Sequence, residues 1–231
     1  MTGTWRIVWG VAARPCPGEV ESGDQYLVRN LPGATLVAVV DGLGHAAEAA
    51  VVARTAVAAL KEANDEPVDA LMARVHHALH KSRGVVMSLA RFDLQRGTMT
   101  WLGVGNVEGV LVAREGMESV PAYPGAGQGS SGGARGHPSR RENLLLRGGI
   151  LGQQLPTLHS AEVALRPGDV IVLATDGIQS AFLLPHDPIL GRPLHGPQCT
   201  PQRIAERILA THVRDTDDAL VLVAKAHGSA P

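Results

Sequence analysis

The stretch Leu36 to Val40 is apolar at every position and stops on Asp41-Gly42, and Val170 to Ala174 runs through Thr175 into Asp176-Gly177 in the same manner. Short, uniformly apolar runs bounded by turn residues read as buried strands, so each run carries a carboxylate to the end of a buried element. Two more aspartates border extended segments: Asp24 in Ser22-Gly23-Asp24, and Asp217 in the segment RDTDDALVLV. An unpaired buried carboxylate forfeits on the order of several kcal/mol of hydration, so a chain that brings such ends together needs a cation there. Carboxylate and backbone carbonyl oxygens are hard ligands; with no CxxC and no HExxH in the chain, they favour magnesium, manganese or calcium over zinc.

The rest of the composition narrows the class. A chain of 231 residues with 45% hydrophobic and 19% charged content suits one globular domain, and residues 1–231 are read as one. Its 21 basic and 22 acidic residues leave a formal charge of −1, with no global field to gather nucleic acid or an anionic membrane. Cys16 and Cys199 are far apart, which argues against a disulfide framework. No apolar run approaches the roughly 18 residues of a membrane span, and the N-terminal stretch is too interrupted for a signal peptide. A soluble cytoplasmic protein is the expectation.

Strands are expected at Trp5 to Val11, about Asp24 to Val28, and Leu36 to Val40, followed by an alanine-rich helix after Gly44. Val68, Leu71, Met72, Val75 and Leu79 share one helical face. The segments VVMSLARFD, TMTWLGVG and VEGVLVAR, separated by turn residues, predict a β meander. Residues 124–141 are rich in Gly and Ser and poor in apolar side chains, which predicts a mobile surface loop. Strands resume near Leu144, at Ala161 to Leu165 and at VIVLATDG; a helix spans Pro201 to His212 with Thr200 as N-cap and Pro201 at N1, and ALVLVAKA closes the chain. Three helices and nine or more strands, without strict βαβ alternation, make an α+β protein.

In order and context, the motifs Ser22-Gly23-Asp24, Asp41-Gly42 before a helix, Asp176-Gly177 after an apolar strand, and Asp217-Asp218 before the last strand resemble the four acidic motifs of the metal-dependent PPM-type Ser/Thr protein phosphatases. The short length, the ARPCPGEVESGD opening, GVGNVEGVLV and the terminal DDALVLV resemble the bacterial RsbX-type stressosome branch. The resemblance implies an α/β/β/α sandwich, two antiparallel sheets flanked by helix pairs, with the metal site at one edge. It also implies that Asp41 bridges two Mn2+ or Mg2+ ions, the Gly42 carbonyl holds one, Asp176 and Asp217 complete the other, and Asp24 is an additional ligand or supports the ligands. Two such ions about 3.5 to 4 Å apart can share a water, lower its pKa from about 15.7 toward roughly 7, and aim it in line at a phosphoryl group. Asp41 and Asp176 are thus the expected catalytic residues, and phosphoserine or phosphothreonine on STAS-domain stress-signalling proteins the expected substrate.

Other readings stay open. Asp218 rivals Asp217 as ligand. The position after Asp41-Gly42, where eukaryotic relatives carry His, is Leu43, and His45 is a possible general acid or simply a polar residue of a first helical turn. Arg14 is the nearest candidate phosphate clamp or simply a solvated surface charge, and Asn106 either faces the site or is a turn residue. Gly42 to Ala47 imitates a GxGxxA dinucleotide fingerprint, but Asp41 would repel a pyrophosphate. Gly127 to Gly132 spells GxGxxG inside the polar loop, and His76 with His80 has i,i+4 spacing but lacks the Glu of HExxH. Beside the phosphatase reading stands a catalytically idle domain of the same fold that binds partners.

Overall fold

The computed structural model describes residues 5–44, 47–62, 64–113, 141–191, 194 and 199–228. Among them are β1 (Arg6–Arg14), β2 (Asp24–Leu31), β3 (Ala34–Gly42), α1 (Ala47–Lys61), α2 (Val68–Ala78), β4 (Val85–Asp93), β5 (Thr98–Val104) and β6 (Glu108–Val112). They continue with β7 (Arg141–Asn143), β8 (Leu146–Arg147), β9 (Ala161–Ala164), β10 (Val170–Ala174), a 3-10 turn (Ser180–Leu183), α3 (Pro201–His212) and β11 (Ala219–His227).

Two sheets form. One has the order β1-β11-β10-β6-β7; the other has β2-β3-β4-β5-β8, with β9 also pairing β5. All pairings are antiparallel except the two-residue contact of β8 with β5, a parallel addition to the expected antiparallel pattern. Alternation of side chains along the strands divides the apolar residues into layers. Val37, Val39, Phe92, Trp101, Leu111, Ile171 and Leu222 fill the space between the sheets. Leu36, Ala38 and Val40 face the other way, against Ala53, Leu60, Leu71 and Val75 of α1 and α2. Val172, Val221 and Val223 pack against Ile204 and Ile208 of α3 and Phe182 of the 3-10 turn. The result is the expected α/β/β/α sandwich.

Among the described residues the helix layers are unequal: a helix pair covers one sheet, and the other carries one α-helix and a 3-10 turn, with Pro185 and Pro188 withholding backbone donors just after that turn. The segment that follows the turn is held by a buried pair, His212 Nε2 and Asp187 Oδ2 at 2.7 Å, with Asp187 Oδ1 accepting the Ile189 and Leu190 N–H groups. Helix α3 begins as its sequence predicts: Thr200 Oγ1 accepts the Arg203 N–H at 3.3 Å and Pro201 occupies the first turn.

The expected loop over 124–141 lies outside the described residues except at its last position, where the expectation fails. Arg141 is part of β7, paired with Val112, and its guanidinium donates to the carbonyls of Leu190 and Phe182. An arginine that finds two buried carbonyls has a reason to be ordered that polarity alone does not reveal. Both cysteines are free thiols, and no helix among the described residues is long and apolar enough to cross a membrane.

Candidate active site

The register of β2 on β3 sets Asp24 opposite Asp41. Val39 points between the sheets and Val40 toward the helices, so alternation turns Asp41 and its partner Asp24 into the gap between the sheets. From the other sheet, β10 ends two residues before Asp176 and β11 begins two residues after Asp217. All four aspartates therefore lie at one end of the sandwich, two from each sheet.

Glycines allow this approach. A Cβ on Gly42 would lie 2.1 Å from the Ala49 carbonyl oxygen, so the turn after Asp41 can pass under α1 only without a side chain. A Cβ on Gly177 would lie 1.8 Å from the Asp218 carbonyl oxygen, so the Asp176 and Asp218 backbones meet only across a glycine. The two Asp-Gly pairs thus combine a carboxylate with close backbone contact.

Hydrogen bonds stitch the halves together. Thr175 Oγ1 donates to Asp24 Oδ2 at 2.6 Å and accepts the Leu220 N–H at 2.9 Å, linking β10 and β11 to the start of β2. Asp218 accepts the Cys16 N–H on Oδ1 at 2.7 Å and the Gly23 N–H on Oδ2 at 2.6 Å. Gly23 in turn accepts the Gly42 N–H at 3.1 Å, so Asp218 fixes the backbone beside Gly42 through one intermediary. Asn106 Nδ2 donates to Asp176 Oδ2 at 2.7 Å. Asn106 therefore faces the cluster, and the turn residue is also a site residue.

Electrostatics report the crowding. Burial, then the Asp41 charge, push the Asp24 carboxyl up to about 8, with the Thr175 hydrogen bond opposing. Asp41 is raised to about 7, first by burial and then by Asp176, Asp217 and Asp218. Asp217 is raised by burial and by Asp176, while its bond to the Asp218 N–H and the Arg214 charge oppose. Asp24 and Asp41 thus feel carboxylates carried by the opposite sheet, as converging motifs require.

Between the rivals for the last ligand, the geometry separates roles. Both Asp218 oxygens are occupied by backbone donors, whereas Asp217 uses only Oδ1, on the Asp218 N–H at 2.9 Å. Among the described residues, no group of three or more His, Cys, Asp or Glu side chains is arranged to hold an ion directly. The donors thus do not form a closed protein cage. Their all-oxygen character and mutually raised carboxyls fit a hydrated hard dication, which keeps several waters and few protein ligands.

The remaining sequence candidates resolve separately. Arg14 Nη2 donates to the Arg214 carbonyl and to Asp215 Oδ1, both at 2.9 Å, so it braces the turn before Asp217. His76 Nδ1 accepts the Gly152 N–H and His77 Nδ1 contacts the Ala73 carbonyl, which sets the histidine helix apart from metal ligation. The dinucleotide reading fails on topology: β3 lies antiparallel between β2 and β4 and has no parallel βαβ partner. His45 and the Gly127 to Gly132 motif lie outside the described residues. Thr175 is the site residue that sequence reasoning missed, since a threonine in an apolar strand reads as ordinary strand composition.

Comparison with known proteins agrees with this architecture. The family described as Stage II sporulation protein E (SpoIIE) matches residues 32–227. A chain solved in work on the bacterial stressosome, described as a modular system adapted to control secondary messenger signaling, is 26% identical; the match covers 95% of this chain and all of that one, with a TM-score of 0.75. RsbX in complex with magnesium is 17% identical with a TM-score of 0.74, covering 95% of each chain. The catalytic domain of the serine threonine protein phosphatase PstP, in complex with 2 manganese ions, is 17% identical with a TM-score of 0.65, covering 98% of this chain and 100% of that one. No curated protein sequence matches the chain. The sandwich, its convergent acidic edge and a family match over most of the length lead to one conclusion: the chain belongs to the SpoIIE family of PPM-type serine/threonine protein phosphatases.

Proposed function

We propose that the acidic edge is the metal centre of a phosphoserine or phosphothreonine protein phosphatase that acts in bacterial stress signalling on phosphorylated STAS-domain proteins. The observation that carries the reading is the meeting of Asp24 and Asp41 with Asp176 and Asp217 from opposite sheets, with Asp24 and Asp41 raised to about 8 and 7. Asp41, the Gly42 carbonyl, Asp176 and Asp217 would hold two Mn2+ or Mg2+ ions, with Asp24 as a further ligand or a support to them. When bound, such ions lower the pKa of water and neutralise charge on phosphoryl oxygens.

The chain's own part is positioning. Asn106 fixes one oxygen of Asp176 and leaves the other available, Thr175 does the same for Asp24, and Asp218 holds Gly23 against Gly42. An idle binding domain would have no physical reason to retain mutually repelling buried carboxylates. The magnesium of RsbX, the manganese of PstP and the stressosome setting of the 26% identical chain support the choice of ions, the signalling role and a cytoplasmic location.

The test is Asp41→Ala. Manganese-dependent hydrolysis of an aryl phosphate should fall at least a thousand-fold, on the order of losing a principal charge-stabilising group, with the circular dichroism spectrum retained. Full activity in the variant would defeat the assignment.

A further inference from the structure

Phosphoryl transfer to water needs a cationic or N–H-rich partner for the incoming dianion as well as ions for the reacting oxygens, and Arg14, the candidate read from sequence, has its Nη2 engaged by Asp215 and the Arg214 carbonyl. We propose that Arg214 is the substrate-binding arginine, its guanidinium receiving the phosphoryl oxygens of the phosphorylated side chain at the rim of the acidic cluster. This rests on the phosphatase reading above and adds to it the group that recognises the substrate anion.

Three observations meet at this residue. First, its backbone is anchored beside the cluster: the Arg214 N–H donates to the Gly177 carbonyl at 2.8 Å, directly after Asp176, and the neighbouring Val213 bridges Ile178. Second, its carbonyl accepts from Arg14 Nη2 at 2.9 Å, and Arg14 is held by Asp215, so one arginine braces the backbone from which the other extends. Third, the Arg214 side chain is exposed and has no hydrogen-bond or ion-pair partner among the described residues. Its backbone lies in the turn that runs directly into Asp217 and β11, so the unpartnered side chain leaves the chain beside the acidic edge.

The other arginines near the rim are less suited. Arg54 is engaged with Glu21, and Arg83 with Glu48. Arg147 also lacks a side-chain partner but shares its register with Val104, which packs in the helix-side core, so it lies on the sheet face away from the cluster. A planar guanidinium on a braced backbone suits bidentate capture of a phosphoryl group, whereas an ammonium supplies only a point charge.

The experiment measures steady-state kinetics on a phosphoserine peptide, inhibition by inorganic phosphate, and Mn2+ affinity, for the wild type, Arg214→Ala and Arg214→Lys. The expected result is that Arg214→Ala raises KM and the phosphate inhibition constant about ten-fold, lowers kcat far less, and leaves Mn2+ affinity unchanged. Arg214→Lys should recover part of the loss. Unchanged KM and phosphate inhibition in Arg214→Ala, or a loss that follows weakened Mn2+ binding, would overturn the proposal. If the wild type binds phosphate through Arg214 but releases none from the peptide, the anion site stands and the phosphatase reading falls. If the wild type neither binds phosphate nor turns over, both fall.

Discussion

At the scale of the residue, Asp24, Asp41, Asp176 and Asp217 were legible because a carboxylate at the end of an apolar run is a local anomaly that demands an explanation. Asn106 and Asp218 were named with their roles left open and Thr175 was missed, because their roles depend on partners remote in sequence: Asn106 meets Asp176 across 70 positions, and Thr175 meets Asp24 across 151. Nothing in a Gly-Asn turn or an apolar strand signals such a meeting. The raised carboxyls carry a prediction of their own. Asp24 and Asp41, ordinarily near 3.8, sit at about 8 and 7 in the metal-free fold, so the folded chain holds protons that the unfolded chain releases. Their contribution is therefore fully present below about pH 4 and is lost as pH rises through about 7 to 8. Melting temperatures measured in EDTA should fall across that window, and Asp24→Asn should flatten the decline. A melting temperature that rises from pH 4 to 8 would contradict the electrostatic account.

At the scale of the element, the strongly periodic segments matched their reading. The five apolar positions from Val68 to Leu79 all turned inward, and α3 began at Pro201 behind the Thr200 cap. β9 was read as Ala161 to Leu165, whereas β7 and β8 fell under one broad signal near Leu144, since two or three residues carry too little pattern and their pairing is set by neighbours already in place. Two substitutions separate elements that hold the site from those that merely hold the fold. Gly177→Ala forces a Cβ to within 1.8 Å of the Asp218 carbonyl, which should cost about 1–3 kcal/mol or more and weaken Mn2+ binding. Thr200→Ala removes the cap of α3, which bonds Arg203 and none of the four aspartates, and should cost about 1 kcal/mol and leave Mn2+ binding intact. Chemical denaturation paired with Mn2+ titration checks both, and equal effects on ion binding would argue against a site built on the close contact of Gly177 with Asp218.

At the scale of the whole molecule, the sandwich follows from three apolar layers that can be buried only together: α1 and α2 on one sheet, α3 on the other, and the inter-sheet core between. The strand count and the helices were readable from the chain. The two-sheet sandwich was supplied by the family resemblance, and the strand order was not read at all, because β1 pairs with β11 across nearly the whole chain and no local pattern encodes it. That closure matters for the site. It sets Asp217 and Asp218 beside the β2 turn, and the Gly23 and Cys16 bonds to Asp218 lock the two sheets at their acidic edge. The central claim is that this edge is a metal-dependent protein phosphatase centre, and the most direct measurement is phosphate release from a phosphoserine-bearing STAS-domain protein, with and without Mn2+, in the wild type and in Asp176→Ala. The account predicts release that requires Mn2+ and is lost in the variant; no release with Mn2+ present, or release that survives Asp176→Ala, would contradict it.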